Sequence, residues 1–344
     1  MTTLYVAMQD ELLIISNRKG HWQTSHQLVG MNVQAVAVDP FRPEIAYSAT
    51  YGSGVWRSED AGVSWIPTRK GLAYQEVTAV AVSETERVGD RGVVWAGTEP
   101  SALFKSKDGG EHWEEKAGLR LLPSSRTWSY PPRPWTHHVR WIAPDAVVEG
   151  RIFVSIEAGG VMRSLDSGES WEDRRPDGPL DAHTIRSHKL AQDRLYAAAG
   201  DGLSAPGRGY AESKDGGCSW HRFGSGLKHH YLWGLAVNPR DPYTLLVSAA
   251  RSPEAAHDPA YAESTVYMRT DESPWCEVQG GLPEPSGTLA AVLAAHDSEP
   301  AVFYLASNRG VYQSPDGGYN WEPLPIPWPD RFHRQRPHGL AVGG

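Results

Sequence analysis

Three histidines stand two residues ahead of three similar short runs: His137 ahead of VRWIAP, His183 ahead of IRSHKL and His230 ahead of LWGLAV. If such runs belong to repeated units arranged in a ring, equivalent places become neighbouring points around one axis. Three neutral imidazoles gathered there suit one transition metal ion, zinc, iron, copper or nickel. Bonds of about 2.0–2.1 Å to zinc leave a fourth position open for water or substrate. The same residues serve equally as hydrogen-bonding groups of a metal-free polar pocket. His138 and His229 adjoin two of them and take their places if the register differs by one residue. The chain has no HExxH-type ligand motif.

Other chemistry-bearing residues fall at repeated positions on the same face. Glu99 in GTEP, Glu157 in SIEAGG and Tyr51 end the second strands of successive units. Two facing carboxyls can divide acid and base roles or complete a metal shell. Arg140 and Arg186 follow the first residue of two inner runs, and Arg251 ends another second strand. Such arginines can clamp a carboxylate or phosphate, or simply neutralise the glutamates along a channel wall. Two loops interrupt the repeat. Residues 120–138 carry Trp128, Tyr130 and Trp135 among prolines, and residues 251–265 carry His257, Tyr261 and Glu263. Insertions on one face of a repeat protein often mark its binding face, and stiff aromatic loops suit a ligand wall or a plug. The tail from Trp328 brings Arg331, His333 and Arg336 to this face, with His338 in the final run PHGLAV.

The elements that position these residues are announced by a box written five times: SEDAGVSW from Ser58, SKDGGEHW from Ser106, SLDSGESW from Ser164, SKDGGCSW from Ser213 and SPDGGYNW from Ser314. Two worn copies begin at Asn17 and Thr270. Each box closes a set of short strands, which reads as an all-β array of four-stranded propeller blades. Within the box, Asp60, Asp108, Asp166, Asp215 and Asp316 are expected to accept backbone N–H bonds across a tight turn. The glycine supplies φ > 0, and the tryptophan fills space between blades. An aspartate that recurs in nearly every blade is a staple, not a catalytic acid.

Seven inner runs can be aligned, at Val33, Val77, Val139, Ile185, Leu232, Leu289 and Pro337. The first unit opens directly on LYVAM, a second strand, so the last run should supply its missing inner strand and close the ring. The expected fold is one seven-bladed β-propeller domain over residues 1–344.

The S-x-D-x-G-x-x-W box resembles the Asp-box, or BNR, repeat of sialidases, sortilin-type receptors, some xyloglucanases and photosystem II assembly factors. The resemblance spans nearly the whole chain and implies the propeller fold; these relatives do different things, so it carries little about function. Sialidases are six-bladed and carry an Arg-Ile-Pro motif that this chain lacks. Xyloglucanase relatives pair two propellers across a cleft, whereas one is read here. A photosystem assembly factor would show a basic arginine patch. Propeller polysaccharide lyases use His, Tyr and Arg on one face, an inventory this chain possesses.

A net charge of −8 without a basic stripe argues against nucleic-acid partners. No apolar stretch is long enough to span a bilayer. The start reads as a strand rather than a leader, giving a cytoplasmic expectation. Cys218 and Cys276 make no disulfide framework; they are read as free thiols or as one pair between neighbouring repeats. A closed ring needs no partner, so a monomer is expected. The leading expectation is a hydrolase or lyase whose axial pocket takes a sugar-like or anionic small molecule. His137, His183 and His230 hold the metal or act as bases, and Glu157, Glu99, Arg140, Arg186 and Tyr51 do the chemistry. His138, Trp135, Arg251 and His338 contact substrate. The alternative is a non-catalytic propeller that binds a protein or glycan.

Overall fold

A computed structural model of the chain describes residues 2–344. Seven antiparallel sheets stand around one axis, six of four strands and one of three. The inner strands are Pro337–Gly343 for blade one, then Val33–Val38, Val77–Val88, Val139–Pro144, Ala182–Ser187, Tyr231–Asn238 and Val292–Ala295 for blades two to seven. Pro337–Gly343 pairs with Thr3–Met8, Leu4 facing Val342. The last strand therefore closes the first blade, as expected, and protects its edge. Blade four departs from the pattern, because its outer strand is reduced to a single bridge between Arg163 and Glu172. Three inner strands also start off the aligned register: blade five begins at Ala182, blade six at Tyr231 and blade seven at Val292.

The blades are held by apolar side chains pressed between neighbouring sheets. Trp113 of blade three packs among Ile45, Tyr47 and Val55 of blade two, and Trp95 of blade three among Val139 and Ile142 of blade four. Each large side chain so buried contributes about 1.5–3 kcal/mol.

The five S-x-D-x-G-x-x-W turns share one geometry. The serine Oγ accepts the glycine amide, and an aspartate oxygen accepts the amide four residues on, both at 2.8–2.9 Å. The glycines have φ of 84–103°, a region that a Cβ disfavours. At Gly62 a Cβ would also meet Tyr5 of the neighbouring blade at 3.0 Å. Ser170 and Asn320 help hold Asp166 and Asp316 below the usual carboxylate range. Cys218 and Cys276 are both free and exposed. No helix of the described residues is long and apolar enough to cross a membrane.

Candidate functional site

The strand starts and the interrupting loops converge on a cavity of about 810 Å³ at the face opposite the turns. Its wall is assembled from six blades. Tyr51 and Glu99 come from the ends of second strands, and Glu157 from the turn after Ile152–Ile156. His138 and Arg140 come from the entry of the blade-four inner strand, Tyr231 and Trp233 from blade six, and Arg336 and His338 from the closing strand. The loop of residues 120–138 folds through two 3-10 turns and brings Tyr130 and Arg133 over the opening. The other loop forms a one-turn helix, Pro253–His257, which delivers His257.

Arg133 donates to Glu99 at 2.6 Å and to the Tyr51 hydroxyl at 3.2 Å, with its guanidinium between the Tyr51 and Tyr130 rings. Arg140 and Arg336 both lie over the Trp233 ring, at 4.2 and 5.2 Å from its centre. His138 stands between two carboxylates, 3.6 Å from Glu99 and 3.8 Å from Glu157. Below it, His183 is fully buried, with Nε2 3.4 Å from Asp181 and 3.8 Å from Glu157.

These groups are poorly satisfied by one another. His138 Nδ1, Arg140 Nε, Glu157 Oε2, His183 Nε2 and His257 Nδ1 are buried atoms without a hydrogen-bond partner among the described residues. Burial is costly for such atoms. Burial, then the charges of Arg140, Arg133 and Arg336, push His138 down to about 3. Burial and Arg336 do the same to His338, also to about 3. Both rings are therefore neutral at physiological pH. Burial and the neighbouring Asp181 push the Glu157 carboxyl up. Burial opposes ionisation of Asp181 as well, but His183 holds it below its ordinary value.

Of the residues singled out in the sequence, Glu99, Glu157, Tyr51, Arg140, His138, His338, Tyr130, His257 and Arg336 line this cavity, and His183 lies behind its wall against Glu157. The three-histidine arrangement is not formed. His137 turns away against Trp128, its Nδ1 accepting the Ser101 amide at 3.3 Å. His230 accepts the Gly207 amide at 3.4 Å, and His229 meets the Tyr267 hydroxyl at 2.7 Å. Adjacent residues of an extended chain point to opposite faces. That alternation gives His138 the axial direction and denies it to His137. In blade six the strand begins a residue early, and Tyr231 and Trp233 face the cavity instead.

Arg186 sits lower in the channel, stacked on Trp141 at 5.0 Å and lining a second cavity of about 320 Å³. Arg251, its side chain 63% exposed, pairs with Glu263 outside the site. Trp135 is 79% exposed and absent from the wall. Sequence reasoning missed Asp181, Trp233 and Arg133. The first two had a signal: D-A-H at 181–183 and Y-L-W at 231–233 place polar or aromatic groups two apart, on one face of a strand. Arg133 had none beyond its loop.

No family model matches the chain. It is 25% identical over 155 residues to the oligoxyloglucan-reducing-end-specific xyloglucanase of Emericella nidulans. That match takes in 41% of this chain and 18% of the enzyme, so the chain spans under a fifth of that relative's length. Among solved structures it is similar to the GH74 xyloglucanase from Xanthomonas campestris, with a TM-score of 0.65 and 17% identity over 98% of this chain and 52% of that one. An ancestral GH74 enzyme gives 0.64 and 19% identity, over 85% and 38% of the two chains. YCF48 bound to D1 peptide gives 0.55 and 17%, over 85% and 82%. At these identities the likeness defines the class by fold: a seven-bladed β-propeller.

Proposed function

We propose that the axial cavity is an active site that takes a sugar-like or anionic small molecule and cleaves it by hydrolysis or elimination. The observation that supports this reading is the convergence of buried, unpartnered polar atoms from blades four, five and six on one concave volume. Buried polar groups left unsatisfied cost stability and are retained where a ligand completes them. Trp233, Tyr51 and Tyr130 offer flat apolar faces for a sugar ring. Arg140 and Arg336, backed by Trp233, are placed for a carboxylate or similar anionic group. Glu99, held by Arg133 at 2.6 Å, is the proton acceptor. His138, a neutral ring 3.6 Å from it, offers a hydrogen bond to the bound molecule. The corner of Glu157, Asp181 and His183 provides the polarising groups where charge develops in the transition state. The resemblance to xyloglucanases agrees with a glycan ligand.

The test is a panel of neutral and uronate-containing oligosaccharides, xyloglucan fragments included. Reducing ends report hydrolysis and absorbance of unsaturated products reports elimination. Wild type should turn over at least one member, with a loss of about 10²-fold or more in Glu99→Gln and in Arg140→Ala. No turnover across the panel, with no ligand raising the melting temperature, would overturn the reading. The second reading, a peptide-binding propeller, is favoured by the exposed Trp135 on its proline-rich loop. It predicts that Trp135→Ala weakens binding of extended peptides while leaving sugar binding unchanged.

A further inference from the structure

We propose that Glu157, Asp181 and His183 form a binding site for one divalent transition cation of the zinc, iron(II) or manganese class, at the floor of the axial cavity. Glu157 Oε, Asp181 Oδ and His183 Nε2 lie within 4.8 Å of one another. Two donors about 2.1 Å from a metal at the tetrahedral angle are about 3.4 Å apart. His183 Nε2 is 3.4 Å from Asp181 Oδ2 and 3.8 Å from Glu157 Oε1. These separations are long for direct hydrogen bonds, but they bracket a space that a cation of this size fills.

Each donor is aimed by a contact on its far side. His183 Nδ1 donates to the Leu232 carbonyl at 2.6 Å. That bond places a ring proton on Nδ1 and directs Nε2 at the two carboxylates, where a cation would take the place of any proton it carries. A histidine oriented in this way by a backbone carbonyl is the usual support for a metal ligand. Asp181 Oδ1 accepts the Ala158 amide at 3.0 Å, which turns Oδ2 toward His183. Ala158 holds φ at 50° in the turn that carries Glu157, so the same contact fixes the Glu157 backbone. Gly200 makes the room: a Cβ there would overlap Asp181 Oδ2 and approach His183 Cε1 to 3.1 Å.

The independent sign of a ligand is that His183 is fully buried, yet its Nε2 has no hydrogen-bond partner among the described residues; Glu157 Oε2 is likewise unpartnered. Arg140 Nε approaches Glu157 Oε2 only to 3.6 Å, beyond hydrogen-bond reach. An imidazole nitrogen with two carboxylates suits zinc, iron(II) or manganese; all-oxygen shells suit magnesium and calcium, and sulfur suits copper(I). His183 lies on the inner strand of blade five with Asp181 just ahead of it, and Glu157 comes from blade four, so the site spans one blade interface.

This inference deepens the reading of the cavity as an active site, but its test does not depend on turnover. Untagged full-length protein is stripped with chelator, then titrated by calorimetry with Zn²⁺, Mn²⁺ and anaerobic Fe²⁺. Co²⁺ spectra report the ligand field. Wild type should take up about one equivalent of at least one of these ions. Asp181→Asn, which keeps the Ala158 contact and near-identical volume, and His183→Asn should each weaken binding at least about tenfold. His230→Ala should bind like wild type. Circular dichroism checks that each variant is folded. If folded wild type binds none of these ions at millimolar concentration, or Asp181→Asn binds as wild type does, the cation site is overturned. Failed uptake together with turnover of a substrate would overturn the cation site and leave the active-site reading standing; cation uptake without turnover of any substrate would do the reverse.

Discussion

The repeated turns and the axial cavity of this ring treat their carboxylates in opposite ways. On one rim, five aspartates each accept backbone amides at 2.8–2.9 Å, and the turns that hold them repeat from blade to blade. In the axial cavity opposite, His138, Arg140, Glu157, His183 and His257 each keep a buried atom without a partner. Satisfied and repeated groups hold blades together. The unsatisfied cavity groups come from different blades, and on the proposed reading a ligand completes them. On the proposed reading, the contrast separates structural from functional polarity even between carboxylates, as with Asp166 and Glu157.

The largest effect expected from breaking the structural side comes from the plates between blades. Trp113→Ala should lower unfolding free energy by about 3–5 kcal/mol, read from the denaturant midpoint, with ligand binding unchanged in protein that remains folded. Next, Asp166→Ala removes one staple and should cost about 1–2 kcal/mol. Glu157→Gln is the converse probe. It should leave stability within about 0.5 kcal/mol of wild type, or raise it, while abolishing the cavity's ligand response. If Glu157→Gln destabilised the ring as much as Asp166→Ala does, the distinction between the two faces would fail.

The smallest effect sharpens the comparison through pH. Glu11 is 1% exposed, and burial pushes its carboxyl up. Hydrogen bonds from Arg331 at 2.7 Å and His26 at 2.6 Å outweigh this and hold it below its ordinary value. A carboxyl depressed in the folded state adds stability above its unfolded pKa of about 4.3 and loses it as pH falls through the folded value. The melting temperature of Glu11→Gln should therefore lie below wild type at pH 6–7, and the gap should close below about pH 4. A gap that did not narrow at all as pH fell below about 4.3 would show that Glu11 acts by packing.

The fold was legible because the rim box is a local device. Eight consecutive residues contain the donors, acceptors and the φ > 0 glycine of their own turn, so every copy points to the same strand order. Ring closure followed from a missing inner run at one end and a spare one at the other. The cavity was legible only in part, because its residues meet through register. His137 and His230 were expected at the axis on alignments that assumed one strand start for every blade. Blade five begins three residues before the aligned Ile185, which puts His183 inside its strand and Asp181 just ahead of it. Alternation within Thr136–Val139 then exchanged His137 for His138. A one-residue slip reverses which face a side chain takes, and apolar runs alone do not fix it.

The closing strand has a consequence for the order in which the molecule matures. His338 reaches the cavity on Pro337–Gly343 and Arg336 just ahead of it, and this strand pairs with residues 329 to 340 positions earlier (Pro337 with Met8, Gly343 with Thr3). During synthesis the first blade waits, one strand short, until the stretch through Gly343 has left the ribosome. The cavity is finished by the same event. A growing or truncated chain thus lacks Arg336 and His338, and a ring still open is also a ring whose pocket is incomplete.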